Sequence, residues 1–152
     1  MPKWSFEPGS SSRYLAADEP DAPITTNLAA VLVVGRSQIT RVVVSKIVER
    51  SGLRPFSESP DSAGQSLSAV RPGTVILDGG ADNCECNHLF PDIATQRSLS
   101  DRNLPRVILL STRTGTPESL ALNPMIDAVV AKPITPEALQ PVVDRLIETV
   151  RV

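Results

Sequence analysis

Thr74–Val75–Ile76–Leu77–Asp78, followed at once by Gly79–Gly80, is the stretch that decides how this chain folds. Four residues of strand-forming character run into a single acid and then into a turn. A short apolar run bounded in this way reads as a strand buried on both faces. Two further runs repeat the design. Arg106–Val107–Ile108–Leu109–Leu110–Ser111 ends in a hydroxyl, and Asp127–Ala128–Val129–Val130–Ala131–Lys132–Pro133 ends in an ammonium. Upstream, Ala29–Ala30–Val31–Leu32–Val33–Val34 ends in Gly35–Arg36, with no acid. Polar groups at the ends of successive strands imply one shared pocket.

Helical patterns lie between the runs. Residues 38–51 place Ile39, Val42, Val43 and Ile47 at helical spacing, and Gly52 is positioned to stop that helix. Val44 and Val48 fall outside this stripe, so the helix has a broad apolar surface, read either as a partner contact or as deeper burial. Residues 54–57 give a weak second strand, 61–70 a modest helix, 79–88 a loop and 89–100 a poorly marked helix. Thr116–Pro117–Glu118 and Thr135–Pro136–Glu137 each offer a hydroxyl cap, proline at the first helical position and an acid facing the positive helix end. Each triplet predicts a helix. In the last, Leu139, Val142, Val143, Leu146, Ile147 and Val150 form one apolar stripe. Strands buried on both faces and joined by helices predict a parallel sheet covered on both sides. Ligands of such sheets sit beyond the carboxyl ends of the strands, where Gly35, Arg36, Asp78, Ser111 and Lys132 all fall.

The totals restrict the remaining choices. A chain of 152 residues supplies one domain with a sizeable core. Aromatic residues make up only 3%, so the core is built from Val, Ile, Leu and Ala. The net charge of −2 sits entirely in residues 1–28, where Lys3 and Arg13 face Glu7, Asp18, Glu19 and Asp21. Residues 29–152 balance 13 basic against 13 acidic side chains, which argues against a nucleic-acid or membrane-surface binder. With four prolines, a Gly–Ser–Ser–Ser run and no periodicity, residues 1–28 read as a disordered or flexible tail preceding a folded domain at 29–152. A docking arm using Trp4, Phe6 and Tyr14 is the alternative. No signal peptide or apolar span is evident, and two closely spaced cysteines make no disulfide framework, so the expected compartment is the cytoplasm. Cys84, Cys86 and His88, with Asp82 or Glu85, lack a standard zinc spacing and read as an ordinary loop.

The ordered set Val31–Val34, Val75–Asp78, Val107–Ser111 and Val130–Ile134, with its spacing, resembles the receiver domain of bacterial two-component response regulators over about residues 29–150. The resemblance implies a flavodoxin-like, CheY-like α/β fold: a doubly wound five-stranded parallel sheet in the order 2-1-3-4-5. It implies that Asp78 is the phospho-acceptor position. It implies that Ser111, or Thr112 with a one-residue slip, and Lys132 bind the phosphoryl group. The family places two acids after the first strand to hold magnesium, where this chain has Gly35 and Arg36. It places a switch aromatic three residues before the lysine, where this chain has Val129.

Charge gives those departures their consequence. Magnesium is usually held by one or two carboxylates in near-octahedral oxygen coordination. One misplaced unit charge at ~4 Å is worth about 4 kcal/mol at an effective dielectric of 20, or roughly three orders of magnitude in occupancy. The sequence therefore predicts an atypical receiver without a bound cofactor, in which Arg36 and Lys132 pair with Asp78. It is expected to act by contact with a histidine kinase, a phosphotransfer protein or another signalling protein, and to be non-enzymatic, with a homodimer as an option. Magnesium enters only where the lost acids are compensated. The alternative is a working receiver phosphorylated on Asp78 by a histidine kinase. A third reading, an unrelated flavodoxin-like enzyme, is weakened because no phosphate-cradling glycine loop follows the first strand. With no DNA-binding helix pair after residue 150, any effect is expected to pass through protein contacts.

Overall fold

A computed structural model describes residues 27–80, 86–100 and 104–151. The tail, apart from Asn27 and Leu28, lies outside them, as do Asp82, Cys84 and Glu85. Five strands, β1 (Asn27–Val34), β2 (Arg54–Glu58), β3 (Pro72–Asp78), β4 (Arg106–Ser111) and β5 (Ala128–Ala131), form one sheet in the order β2-β1-β3-β4-β5. Every pairing is parallel. The helices are α1 (Gln38–Arg50), α2 (Ala63–Val70), α3 (Phe90–Ser98) and α4 (Pro136–Arg151), with a 3-10 turn at Asn87–Leu89 leading into α3. The expected topology is the observed one, and β1 begins two residues before the apolar run.

Strand periodicity divides the core into two layers. Val31, Val33, Ile76, Ile108, Leu110 and Val130 face one side, where they pack with Val44, Ile47 and Val48 of α1 and Leu139, Val143 and Ile147 of α4. Leu32, Val34, Val75, Leu77, Val107 and Leu109 face the other, against Leu67 of α2 and Ile93 of α3. All seven residues of β3 are buried, as its continuous apolar character requires.

Two expectations are corrected. In α1 the face turned to the sheet is Val44, Ile47 and Val48, whereas Ile39, Val42 and Val43 are exposed. The stripe read as core is thus largely the outer face, and only Ile47 belongs to both. The second correction concerns Thr116–Pro117–Glu118, which starts a single turn and no helix. Leu120 N–H reaches Thr116 O (3.1 Å), but Ala121 has φ +54° and the chain leaves the helical path. Ser119 Oγ accepts from Thr116 N–H (2.8 Å), a local bond that competes with continuation. Pro124 then biases Asn123 away from helical dihedrals. The second triplet behaves as predicted: Thr135 Oγ1 accepts from Ala138 N–H at 3.2 Å and α4 follows.

Candidate functional site

Asp78 is the last residue of β3, in register with Leu110 of β4, which is itself in register with Val130 of β5. Ser111 and Lys132 follow on the same edge, and Lys132 N–H donates to Ser111 O at 2.8 Å. This pairing carries the Lys132 side chain toward β3. Its Nζ donates to Asp78 Oδ1 at 2.6 Å, and the two side chains keep 28% and 7% of their surface exposed. Gly80, at φ +73°, turns the chain so that its N–H donates to the same oxygen at 3.1 Å. A largely buried carboxylate thus has a charged and a neutral donor on one oxygen.

The Asp78 side chain is also closed in from β1. A methyl group added at Gly35 would stand 2.9 Å from Asp78 Cβ and 3.4 Å from Oδ2. Arg41 of α1 fixes this position by donating from Nη1 to Gly35 O at 2.6 Å. Ser37 caps α1 by accepting from Thr40 N–H at 3.2 Å, which settles where the turn ends. Arg36 projects from that turn with its side chain exposed. Lys132, one of the two cations expected on Asp78, is seated there.

Ser111 is fully buried, and its Oγ accepts from Arg113 N–H at 2.9 Å. Thr112 is exposed. Val129 is half-buried and packs against the α2/α3 layer. Sequence reasoning brought Asp78, Ser111 and Lys132 to one edge and missed three neighbours. Arg41 gave no signal, because a single cation in the first turn of a helix has many uses. Cys86, read as part of a loop, is buried and donates its thiol to Asp78 O at 3.3 Å. Glu58 ends β2 on the same edge, where it accepts from Ser62 Oγ at 2.7 Å. An acid at the end of a weak strand was the available sign. His88 Nε2 donates to Pro60 O at 2.8 Å, so Cys86 and His88 serve different neighbours.

Among the described residues, the donors around Asp78 do not assemble into a site for the magnesium ion that the family resemblance implies. Among the described residues, no group of three potential ligands converges. Asp78 offers one oxygen already bound to an ammonium, and position 35 has room for no side chain while Asp78 keeps this place.

No protein-family model matches the sequence, and no curated protein matches it. Solved structures match well in fold. A CheY-like response-regulator receiver domain from Methanospirillum hungatei superposes with a TM-score of 0.63 at 16% identity, covering 82% of this chain and 98% of its own. The chemotaxis response regulator CheY4 of Vibrio cholerae gives 0.61 at 23% identity, covering 79% and 99%. The pseudo-receiver domain of the CikA protein gives 0.56 at 18%, covering 78% and 96%. The chain has the fold of CheY-like response-regulator receiver domains. Among the described residues, no helix is long and apolar enough to cross a membrane.

Proposed function

We propose that this chain is a receiver-like signalling module, non-enzymatic, that acts in the cytoplasm by binding partner proteins and in which magnesium-dependent phosphorylation of Asp78 is impaired. One observation carries the reading: Asp78 is held between Lys132 Nζ, 2.6 Å from its Oδ1, and Gly35, whose Cα leaves no space for a side chain. Phosphoryl transfer rests on metal ions that neutralise oxygen charge. Here a resident ammonium occupies one carboxylate oxygen, and no group of three potential metal ligands forms among the described residues. A carboxylate so paired is held in one arrangement, which suits a module used for recognition. Its partners belong to the classes that the family resemblance implies: a histidine kinase, a phosphotransfer protein or another signalling protein.

A second reading has its own support. Asp78, Ser111 and Lys132 share one edge of the sheet, which is the arrangement a phospho-acceptor receiver requires. In that reading a kinase phosphohistidine loses its P–N bond as a P–O bond forms to Asp78, and the kinase surface supplies what the lost acids do not. Purified protein separates the two. Acetyl phosphate with magnesium, followed by intact-mass analysis, is expected to leave the chain unlabelled, and calorimetry to find no magnesium binding at millimolar concentration. Labelling that Asp78→Asn abolishes, together with millimolar magnesium affinity, would overturn the first reading. Labelling by phosphorylated kinases alone would establish the second.

A further inference from the structure

The outer face of α1 carries Ile39, Val42, Val43, Lys46, Glu49 and Arg50, all exposed and spaced as one helical stripe. Of four large hydrophobic side chains exposed among the described residues, three are in it: Ile39 (78%), Val42 (47%) and Val43 (38%). On α4 the exposed row is Glu137, Pro141, Asp144 and Glu148. The two helices pack side by side on one face of the sheet and lead away from the same sheet edge, so they run in the same direction. Two shallow grooves follow the seam between them. The first has Ile39 and Val43 on its α1 wall and Pro133 and Ile134 on the other. The second has Arg50 on its α1 wall and Glu137 and Asp144 on the α4 wall. Arg50 forms no ion pair with either acid, nor does any described residue pair with them. We propose that a second copy of this chain docks here, with a two-fold axis running along the seam, so that α1 of each copy lies over α4 of the other.

Symmetry and charge select that occupant and that axis. A two-fold axis along the seam exchanges its two walls and keeps every residue at its own height along the helices. Each groove is then its own complement. Ile39 and Val43 of one copy meet Pro133 and Ile134 of the other, and Arg50 meets Glu137 and Asp144. The α1 stripe holds two cations, Lys46 and Arg50, against Glu49, whereas the α4 row holds three acids with Arg145 exposed at its flank. A two-fold axis across the seam would lay α1 on α1 and α4 on α4, setting cations on cations and acids on acids, which is unfavourable. An apolar strip at one end of such a face supplies cohesion, and the charges set the register. Thirteen helical residues span about 20 Å and two helices about the same width, a footprint of roughly 400 Å² on each copy. Stable interfaces bury about 800 Å² per partner. The contact is therefore a weak dimer that forms and parts with concentration.

Lys132 lines the first groove, so the contact borders the Asp78 edge. The inference rests on reading this chain as a module that binds partners and names a second copy as one of them. Its test reads mass, which is independent of whether Asp78 accepts a phosphoryl group. Sedimentation equilibrium of the full chain over a concentration series up to millimolar should show apparent mass rising from monomer toward dimer. Arg50→Glu and Asp144→Arg should each weaken association by about tenfold or more, because each sets like charges opposite one another in both symmetry-related contacts. An equimolar mixture of the two variants should associate again, since every such contact then joins unlike charges. Ile39→Ser should weaken association as well, and Leu99→Ser, at the remaining exposed hydrophobic residue, should leave it unchanged. All these positions face solvent, so circular dichroism and melting should match the parent chain. A monomer at every concentration would overturn the proposal and leave the proposed function standing. A dimer that survives Arg50→Glu, Asp144→Arg or Ile39→Ser, or that is lost in Leu99→Ser, would place the contact elsewhere and overturn it too. So would a mixture that associates no better than its separate components.

Discussion

Gly35 makes the sharpest prediction, because its reason for being glycine is spatial. Its φ lies outside the left-handed range, so L-residues accept the backbone there. What they do not accept is the neighbour: the added Cβ would come within 2.9 Å of Asp78 Cβ, closer than carbon atoms pack at about 3.5–4.0 Å. Gly35→Ala must therefore displace β1 or β3 where both are fully buried. Overpacking of this sort costs about 1–3 kcal/mol. With a urea dependence of about 2 kcal/mol/M for a domain of this size, the unfolding midpoint should fall by roughly 0.5–1.5 M. The clash is with Cβ, so Asp78→Ala leaves it in place and Asp78→Gly removes it. A double-mutant cycle over Gly35→Ala and Asp78→Gly should recover most of the cost as coupling, while the same cycle over Asp78→Ala should be close to additive. Urea unfolding of the variants decides it. An unchanged midpoint in Gly35→Ala, or equal coupling in the two cycles, would show that the space beside Asp78 is open and that nothing at position 35 excludes a side chain.

Three other perturbations test separate parts of the structure. Lys132→Met leaves Asp78 largely buried with Gly80 N–H as its remaining donor on Oδ1, and should cost about 1–3 kcal/mol, discounted from the fully buried case because Lys132 is partly exposed; Asp78→Asn in that background should recover part of it in denaturant titrations. Arg97 of α3 donates to Pro105 O (2.9 Å), Met125 O (2.8 Å) and Asp127 Oδ2 (2.7 Å), tying the starts of β4 and β5 together. Arg97→Ala should cost roughly 3 kcal/mol, and Arg97→Lys should recover little because an ammonium lacks the planar fork, as thermal melts would show. Val44→Ala should cost about 1–2 kcal/mol and Val42→Ala less than about 0.5 kcal/mol, which tests directly which face of α1 is buried.

The contrast between Val42 and Val44 also shows what the sequence leaves open. Residues 39, 42, 43, 44, 47 and 48 are all apolar. At about 100° per residue, Ile39, Val42 and Val43 centre roughly 140° away from Val44, Ile47 and Val48. Either set satisfies helical periodicity, so spacing cannot choose between them; the sheet chooses, and Leu53, buried beyond the helix, continues the second set. The strands carried no such ambiguity. β3 and β4 are buried on both faces, and a continuous apolar run has no wrong side. The turn after Thr116 was misread because a cap fixes where a helix starts and says nothing about whether packing sustains it. At the site, Asp78, Ser111 and Lys132 were legible as strand-end residues, whereas the Lys132–Asp78 distance and the Arg41–Gly35 bond depend on chain segments 54 and 6 residues apart.

Those two contacts change the meaning of the missing acids. From sequence, Gly35–Arg36 is a loss of charge, and a loss of charge should be reversible by restoring it. In the structure the space beside Asp78 is filled: Asp78 lies against Gly35, Arg41 holds the Gly35 carbonyl, and Lys132 has the Oδ1 atom. Arg36 and Gly35 are therefore not equivalent positions. Arg36→Asp sits on an exposed side chain and should be tolerated, adding an acid at the rim. Gly35→Asp meets the same 2.9 Å contact as alanine and should cost stability before it contributes any ligand. Magnesium titration of the two variants, each checked by thermal melting, is expected to give a folded Arg36→Asp with at most weak affinity and a destabilised Gly35→Asp. Tight magnesium binding by Gly35→Asp at unchanged stability would mean that the edge of the sheet still has the metal cavity, and that charge alone keeps the ion out.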